Sequence, residues 1–321
     1  MRLFQNADYH FIEKRRSAYV VSGVVLVAGI AAMIFNVATM GSWLRYGVDF
    51  EGGSLVQVRF EEPITASDLR SALGGASAPE VTQFGTDDSR EFLIRAPLAA
   101  DASITEVADE IEAQLRAALG DVQFAVERTE LVGAKVGAEL QQKALLAVLF
   151  SMVLTLTYLA FRFELRFGLA AVIATGHDIL IAMGFLAAFQ MEIALPTVAA
   201  ILTILGYSLN DTIIVFDRIR ENMQAKGARK RDPIELVNRS INETLPRTIL
   251  TSGTTLAVLV SLLVLGGPVI RDFTIVVILG VLVGTYSSIF VAAPALIEIQ
   301  KRWGVGKTGE RSKERPQPAT V

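Results

Sequence analysis

Two acidic residues, Asp178 and Asp211, lie inside apolar stretches that are long enough to cross a membrane. An ionisable side chain at the centre of a spanning helix costs at least ~2.5–3.5 kcal/mol on insertion scales, so such residues are rare and usually functional. Arg247, at the foot of the next apolar stretch, is a basic residue at a comparable depth. Together the three residues indicate a protein that moves charge across the membrane or responds to its potential.

The stretch around Asp211 also contains uncharged polar residues. At 100° per residue, Ser208 shares a face with Asp211, and Asn210 lies on the adjoining face with Thr203 and Tyr207. This polar stripe must face protein or water rather than lipid. The next stretch is predicted to face the stripe through residues at three- and four-residue steps, namely Arg247, Thr251, Thr254 and Thr255.

Two interpretations of these charges stay open. In the first, a proton and Arg247 neutralise Asp211 in turn, which makes a proton relay, because an unpaired buried charge is costly in either state. In the second, the pair is static and joins helices at ~0.6 kcal/mol per contact. His177 and Asp178 fit either a relay or a locked structural contact. The predicted relay set is Asp211, Arg247, Asp178, His177 and Asn210.

The chain is too apolar for an ordinary soluble domain, since 52% of its 321 residues are hydrophobic and its mean hydropathy is +0.45. The apolar residues form blocks of about twenty, and each block can cross ~30 Å of hydrocarbon. Six spanning helices are predicted, at Ala18–Ala38, Ala144–Phe161, Gly168–Phe189, Ala194–Phe216, Thr248–Gly266 and Phe273–Leu296.

The distribution of charge predicts the orientation of these helices. Of the 30 Lys and Arg residues, 20 lie before the first span, after the last, or in the two loops on the same side. Short basic loops stay cytoplasmic, so we expect a multi-pass protein of the bacterial inner membrane with both termini cytoplasmic. The basic clusters follow span ends, where membrane lipid headgroups explain them, and no nucleic-acid partner is predicted.

The segment 39–141 is then exterior, with 8 Lys and Arg against 18 Asp and Glu. Its predicted elements follow the order β-α-β-β-α-β of the ferredoxin-like arrangement. The fold prediction is a polytopic α-helical membrane protein with six transmembrane helices and one periplasmic α+β ferredoxin-like domain between the first and second. The predicted regions are a cytoplasmic N-terminus (1–17), the first helix (18–38), the periplasmic domain (39–141), a five-helix bundle (142–300) and a disordered cytoplasmic tail (301–321).

Two further motifs contain glycine. One opens a strand predicted over Tyr46–Phe60, where glycines indicate a bulge or a close backbone approach; its residues of interest are Asp49, Phe50, Gly52 and Gly53. It lacks the Gly-Lys-Ser/Thr of a phosphate loop and is not expected to open a helix. The other motif is the row Gly280, Gly284 and Ser288, whose four-residue spacing allows helices to approach closely.

Several kinds of catalytic site are excluded by the residues that the chain lacks. It has no cysteine and only two histidines, which rules out thiolate metal sites and disfavours a histidine metal cage. It also has no Walker motif and no Ser-His-Asp pattern. We therefore predict neither an enzyme nor a cofactor, and any energy source must come from elsewhere.

Four segments resemble the SecF family, the smaller half of the SecD–SecF protein-translocation accessory complex, which is related to the resistance-nodulation-division superfamily. The resemblance covers about residues 10–300, including the order of one span, an exterior domain and five spans. The four segments are GVDFEGGSLVQV (Gly47–Val58), GHDILIAMG (Gly176–Gly184), LGYSLNDTIIVFDRIREN (Leu205–Asn222) and SINETLPRTILTSGTTL (Ser240–Leu256).

The resemblance implies a subunit that pairs with SecD, associates with the SecYEG channel and uses the proton gradient to help pull translocating preproteins outward. In that family an Asp of the NDT motif and an Arg of the LPRT motif are tied to proton conduction, and they correspond to Asp211 and Arg247. Two alternatives remain. One is half of a proton-coupled small-molecule exporter, and the other is a non-transporting assembly scaffold in which Asp211 and Arg247 only join helices.

Overall fold

The computed structural model describes residues 7–74, 79–84, 90–96, 104–120, 122–225, 232–267 and 270–302. The predicted disordered tail lies outside the described residues from residue 303 onward, as do the first six residues of the predicted N-terminus. All elements below are numbered in chain order within these ranges.

Six helices in the described ranges are long and apolar enough to cross a membrane, so the chain is a polytopic helical membrane protein. The sixth is interrupted by a π-helical turn at Ser288–Ala292, which joins its two halves. The helices are α1 (Arg15–Met40), α5 (Ala134–Arg162), α6 (Leu165–Ala188), α7 (Leu195–Gln224), α8 (Pro233–Leu265), and α9 (Arg271–Ser287) followed by α10 (Ala293–Arg302).

The helices divide into a central and a peripheral group. The most apolar windows of α6, α7 and the α9–α10 helix are 61%, 44% and 56% buried, whereas those of α1, α5 and α8 are 17%, 6% and 17% buried. Without water to satisfy backbone groups in hydrocarbon, each segment stays helical whichever environment it faces. The central helices therefore form the protein core, and the peripheral ones expose apolar side chains outward.

Helix α8 corrects one expectation from the sequence. The fifth span was predicted over Thr248–Gly266, but it belongs to one continuous helix of 33 residues that begins at Pro233 and has Pro246 in its interior. Proline removes one backbone donor, so it is costly inside a helix. The helix continues because its first half is already packed on the core through Leu236, Ile241 and Leu245.

Two asparagines on α8 hold the chain that leads into α1. The side chain of Asn242 accepts from the Tyr9 amide at 3.0 Å and donates to the Tyr9 carbonyl at 2.9 Å. The side chain of Asn238 accepts from the amide of Ile12 at 2.9 Å. Ile12 is fully buried in the core, so the segment Tyr9–Ile12 is part of the bundle.

The region between α1 and α5 contains an antiparallel four-stranded sheet. In chain order it comprises β2 (Gly53–Phe60), α3 (Ala66–Ala72), β3 (Glu80–Phe84), β4 (Glu91–Ala96), α4 (Ile104–Leu119) and β5 (Phe124–Val132). The strands lie in the order β3-β4-β2-β5. Alternate side chains of β2, including Val56 and Val58, pack with Leu69 of α3 and Leu115 of α4, so both helices share the core of the sheet.

The strand predicted over Tyr46–Phe60 is wrong in its first half. The chain instead forms a two-residue strand, β1 (Arg45–Tyr46), a one-turn helix, α2 (Val48–Glu51), and then β2. Gly52 and Gly53 separate α2 from β2 at φ values of 78° and 127°, a region that favours glycine. The glycine pair therefore reverses the chain, and the bulge in this strand lies further along, between Gln57 and Val58.

Candidate functional site

Asp211 lies in the middle of α7 and is completely buried. Its Oδ2 atom is 3.5 Å from both the Ser252 hydroxyl of α8 and the Thr285 hydroxyl of α9. Its Oδ1 atom has no hydrogen-bond partner among the described residues. Burying a carboxylate with so few donors is costly, whereas the neutral acid needs fewer partners. Asp211 is therefore a buried acid whose hydrogen-bonding capacity is only partly met by the described residues.

The hydroxyl groups beside Asp211 form a short chain across three helices. Ser252 and Thr285 lie 2.7 Å apart, and the Tyr207 hydroxyl donates to Ser252 at 3.3 Å. The threonines expected to face the stripe do not take part: the hydroxyls of Thr251 and Thr254 bond carbonyls of their own helix. Like Arg247, these threonines lie on the exposed side of α8. The face of α8 that the sequence predicted from Arg247 therefore points away from Asp211.

Arg247 is exposed and makes no ion pair with Asp211 in the described part of the chain. Its helix, α8, also contains Ser252, whose hydroxyl is 3.5 Å from the Asp211 carboxylate. Arg247 opens onto a groove of about 660 Å³ between α5, α7 and α8. The groove is lined in part by Tyr158, Arg162, Asn210, Asp217, Glu243 and Arg247. Asp211 therefore lies on the buried side of the interface between α7 and α8. Arg247 lies on the side of this interface that faces the groove.

Asp178 forms a second buried site. Its carboxylate accepts from Ser208 at 2.5 Å, from Ser287 at 2.7 Å and from the Nδ1 of His177 at 2.8 Å. The Nε2 of His177 is 3.1 Å from the hydroxyl of Ser22. With Nδ1–H donating to the carboxylate, Nε2 is the acceptor. In contrast to Asp211, Asp178 has hydrogen-bond donors at both of its oxygens.

The network around Asp178 continues to α1. Ser22 lies 3.2 Å from the hydroxyl of Tyr286, which also donates to the carbonyl of Ala18 at 2.9 Å. Asp178 is 2% exposed and His177 is 7% exposed, so the network is closed to solvent in this arrangement. Ser208 donates to the Asp178 carboxylate, and Asp211 lies on the same face of α7 as Ser208. This face of α7 therefore connects the two buried sites.

The glycine motif lies where the sheet region meets the spanning helices. Phe50 is buried beside the bundle, and the Asp49 carboxylate accepts from the amide of Leu195, the first residue of α7, at 2.8 Å. A Cβ on Gly137 of α5 would lie 2.7 Å from the Phe50 carbonyl oxygen, so this approach requires glycine. The motif thus contacts the beginnings of two spanning helices.

Small residues of α9 allow a close crossing with α7. A Cβ on Gly280 would meet the Ile204 side chain, and one on Gly284 would lie 2.9 Å from the Cβ of Ser208, so this row faces α7. Ser288 of the same row is buried and bonds the carbonyl of Thr285 at 3.0 Å. The row places α9 directly against the face of α7 that contains the two carboxylate contacts.

Several residues of the site were not predicted. They are Ser22, Ser252, Thr285, Ser287, Tyr286 and the crossing pair Gly29 and Gly184. Hydroxyl residues are common in spanning helices, where their hydrogen atoms usually bond the preceding turn. A single sequence therefore gives no sign of which hydroxyls turn toward a carboxylate on another helix.

Comparison with known families identifies the chain. Residues 111–302 match the model described as "Protein export membrane protein SecD/SecF, C-terminal", and residues 37–64 match the "SecD/SecF GG Motif". The first match contains Asp178, Asp211 and Arg247, and the second contains Asp49. The chain belongs to the SecD/SecF family of protein-export membrane proteins.

Individual relatives in this family agree over most of the chain. It is 44% identical over 310 residues to a protein translocase subunit SecF of Gemmatimonas aurantiaca, covering 94% of this chain and 90% of the relative. It is 39% identical to a protein translocase subunit SecDF of Thermus thermophilus over 88% of this chain and 38% of that longer protein. A role in protein export follows at the level of the family.

Solved structures show the same architecture. A crystal structure of SecDF from Thermus thermophilus, titled a translocon-associated membrane protein, matches with a TM-score of 0.79 at 36% identity. It covers 94% of this chain, and this chain spans 40% of it. A second SecDF structure, in a super-membrane-facing form, matches with a TM-score of 0.65 at 38% identity over 93% of this chain and 39% of that one.

Proposed function

We propose that this chain pairs with a SecD partner and uses the proton gradient to promote export of preproteins through the SecYEG channel. The observation that carries the proposal is the burial of Asp211, with one oxygen unpartnered among the described residues, beside a groove that contains Arg247, which does not pair with Asp211 in this arrangement. Such an acid has two ways to be satisfied, by a proton or by the arginine. Switching between them requires a movement at the interface of α7 and α8.

The relay alternates between two states of Asp211, one in which it binds a proton and one in which it pairs with Arg247. With a proton bound, Asp211 remains among the hydroxyls of Ser252 and Thr285, as in the present arrangement. When the proton leaves, the buried carboxylate attracts the Arg247 guanidinium, which must leave the groove to reach it. Asn210 follows this movement, because it adjoins Asp211 on α7 and lines the same groove. His177 and Asp178 belong to α6, and they bond Ser22 of α1 and Ser208 of α7. They form the part of the relay that does not move.

A SecD partner explains the polar side of the bundle. Thr203, Asn210, Arg247 and Thr254 are exposed on α7 and α8 within the spanning region. Exposing such groups to lipid is unfavourable, so this face is expected to be covered by protein or water. The relative from Thermus thermophilus is a SecDF, and this chain spans only 38% of its length. In the proposed complex, a SecD partner corresponds to the remaining part of that longer chain.

The sheet region is proposed to be a periplasmic ferredoxin-like domain. The element order β-α-β-β-α-β and the strand order β3-β4-β2-β5 support the fold. The acidic balance of residues 39–141 supports its position, because the basic loops lie on the other side of the bundle. In this position the domain can meet a polypeptide as it emerges from the channel.

Single introduced cysteines test this orientation, because the chain has none of its own. Ala113 is exposed on α4 of the sheet region, and Gln224 is exposed at the far end of α7. In intact cells, we expect an impermeant maleimide to label Ala113→Cys and to label Gln224→Cys only after permeabilisation. The opposite pattern would reverse the orientation.

Proton flux in reconstituted vesicles tests the function. Proteoliposomes with this chain, a SecD partner and SecYEG, loaded with a pH-sensitive dye, are expected to admit protons faster while a preprotein is being translocated. Uncoupler-treated vesicles provide the baseline. Proton entry that depends on a small molecule instead would identify an exporter, and an absence of proton entry under both conditions would leave the scaffold interpretation.

A further inference from the structure

The residue before α7 has no side chain that can accept from the first amides of the helix, and Thr197 of the first turn accepts only from the Ala194 amide, at 3.3 Å. The residue before the helix is Ala194, and the second helical residue is Pro196. The first amides of a helix lack partners within the helix and are usually satisfied by a Ser, Thr, Asp or Asn just before it. The amide of Leu195 therefore needs an acceptor from elsewhere in the chain.

Asp49 is that acceptor, although it is 146 residues away in the sequence. Its Oδ2 atom accepts from the Leu195 amide at 2.8 Å. A carboxylate at this end of a helix also interacts favourably with the helix dipole. Asp49 belongs to α2, the single turn that joins β1 to the sheet, so the bond connects the sheet region directly to α7.

Backbone contacts hold α2 in the same place. The Gly47 amide donates to the Ile193 carbonyl at 2.8 Å, and β1 pairs in parallel with β6 (Glu192–Ile193), just before α7. Arg95 of β4 forms an ion pair with Glu192. Backbone hydrogen bonds and an ion pair thus connect the sheet region to the segment before α7. Asp49, in contrast, bonds the first residue of α7 itself.

We propose that Asp49 is a positioning residue that fixes the exterior sheet region to the start of α7, the helix that contains Asp211. Movement of either one then displaces the other, because the joint is a short turn held at the helix end rather than a free linker. This coupling goes beyond the proposed function, since it holds whether or not Asp211 exchanges a proton.

Hydrogen exchange of the full chain with its SecD partner tests the cap. In Asp49→Ala, we expect the first-turn amides of α7 to exchange roughly fivefold faster, which corresponds to a lost cap of ~1 kcal/mol. Asp49→Asn keeps an acceptor oxygen and should exchange close to the native rate. Glu51→Ala is the matched control, because Glu51 is an exposed acidic residue on the same turn.

A distance measurement tests the positioning. Spin labels on cysteines at Ala113 in α4 and Ala199 in α7 should give one narrow distance distribution in the native background, in Asp49→Asn and in Glu51→Ala. In Asp49→Ala the distribution should broaden or shift. Co-purification with SecD shows that each variant is folded. An Asp49→Ala protein with native exchange and a native distribution overturns the proposal, and so does equal broadening in Glu51→Ala.

Discussion

Asp211→Asn is expected to abolish gradient-dependent export while the chain remains assembled with its SecD partner. Asparagine has nearly the same shape and can still bond Ser252 and Thr285, but it cannot release a proton or pair as an anion with Arg247. A proton crossing ~100 mV releases about 2.3 kcal/mol, enough to move a two-state equilibrium by more than tenfold. Losing this cycle therefore removes the whole contribution of the gradient.

The measurement is export of a secretory reporter into inverted membrane vesicles, with and without an uncoupler. The native complex should lose its gradient-stimulated fraction on uncoupling, and Asp211→Asn should lack that fraction from the start. Arg247→Met should behave in the same way, because it keeps the aliphatic stem and removes the charge. ATP-driven insertion of the preprotein should persist in both variants.

Glu139→Gln is the control for Asp211→Asn, because Glu139 is an exposed acid on the spanning helix α5 and lies outside the groove that contains Arg247. It should retain full stimulation by the gradient. If Asp211→Asn also retains it, the relay is wrong and the static arrangement of helices is the better interpretation.

Gly29→Ala is expected to cause the largest loss of stability among single-methyl substitutions in the bundle. A Cβ on Gly29 would lie 2.8 Å from the Cα of Gly184, and a Cβ on Gly184 would lie 2.7 Å from the Cα of Gly29. The obstacle is backbone on both sides, so no side chain can turn away to relieve it. Overpacking of this kind costs ~1–3 kcal/mol or more, and here it separates α1 from α6.

Heating the purified complex and measuring the folded fraction by size-exclusion chromatography tests this effect. Gly23→Ala is the control on the same helix, since a Cβ there has no atom within 4 Å. We expect a clearly lower midpoint for Gly29→Ala and a native midpoint for Gly23→Ala. Equal midpoints would show that the crossing can relax without cost.

The sequence was informative about elements with a strong local signal. Six apolar blocks predicted six helices, because the length and hydropathy of a span do not depend on its neighbours. The start of α3 depends on an equally local signal, since the side chains of Thr65 and Asp68 form both hydrogen bonds of a capping box there. Their physics is local, so a single sequence contains it.

Tertiary choices were less predictable. The fifth span was predicted to begin at Thr248, but α8 begins at Pro233, because packing of the earlier turns keeps the helix continuous through Pro246. The glycine motif suggested a strand, but Asp49 and its neighbours form a turn against two distant helices. Asp211 was recognisable from its cost in a membrane, whereas the serine and threonine beside it depend on how α8 and α9 rotate. These outcomes depend on contacts between residues far apart in the chain.

The attachment of Tyr9 and Ile12 to Asn242 and Asn238 has a consequence for synthesis of the protein. The chain must make more than 220 further residues before those partners exist, since the two bonds span 233 and 226 positions. Until α8 enters the bilayer, the segment before α1 lacks the acceptors that it has in the finished protein. The segment Tyr9–Ile12 therefore makes these two contacts only after α8 has been synthesised, and truncation before α8 should leave this segment open to proteases.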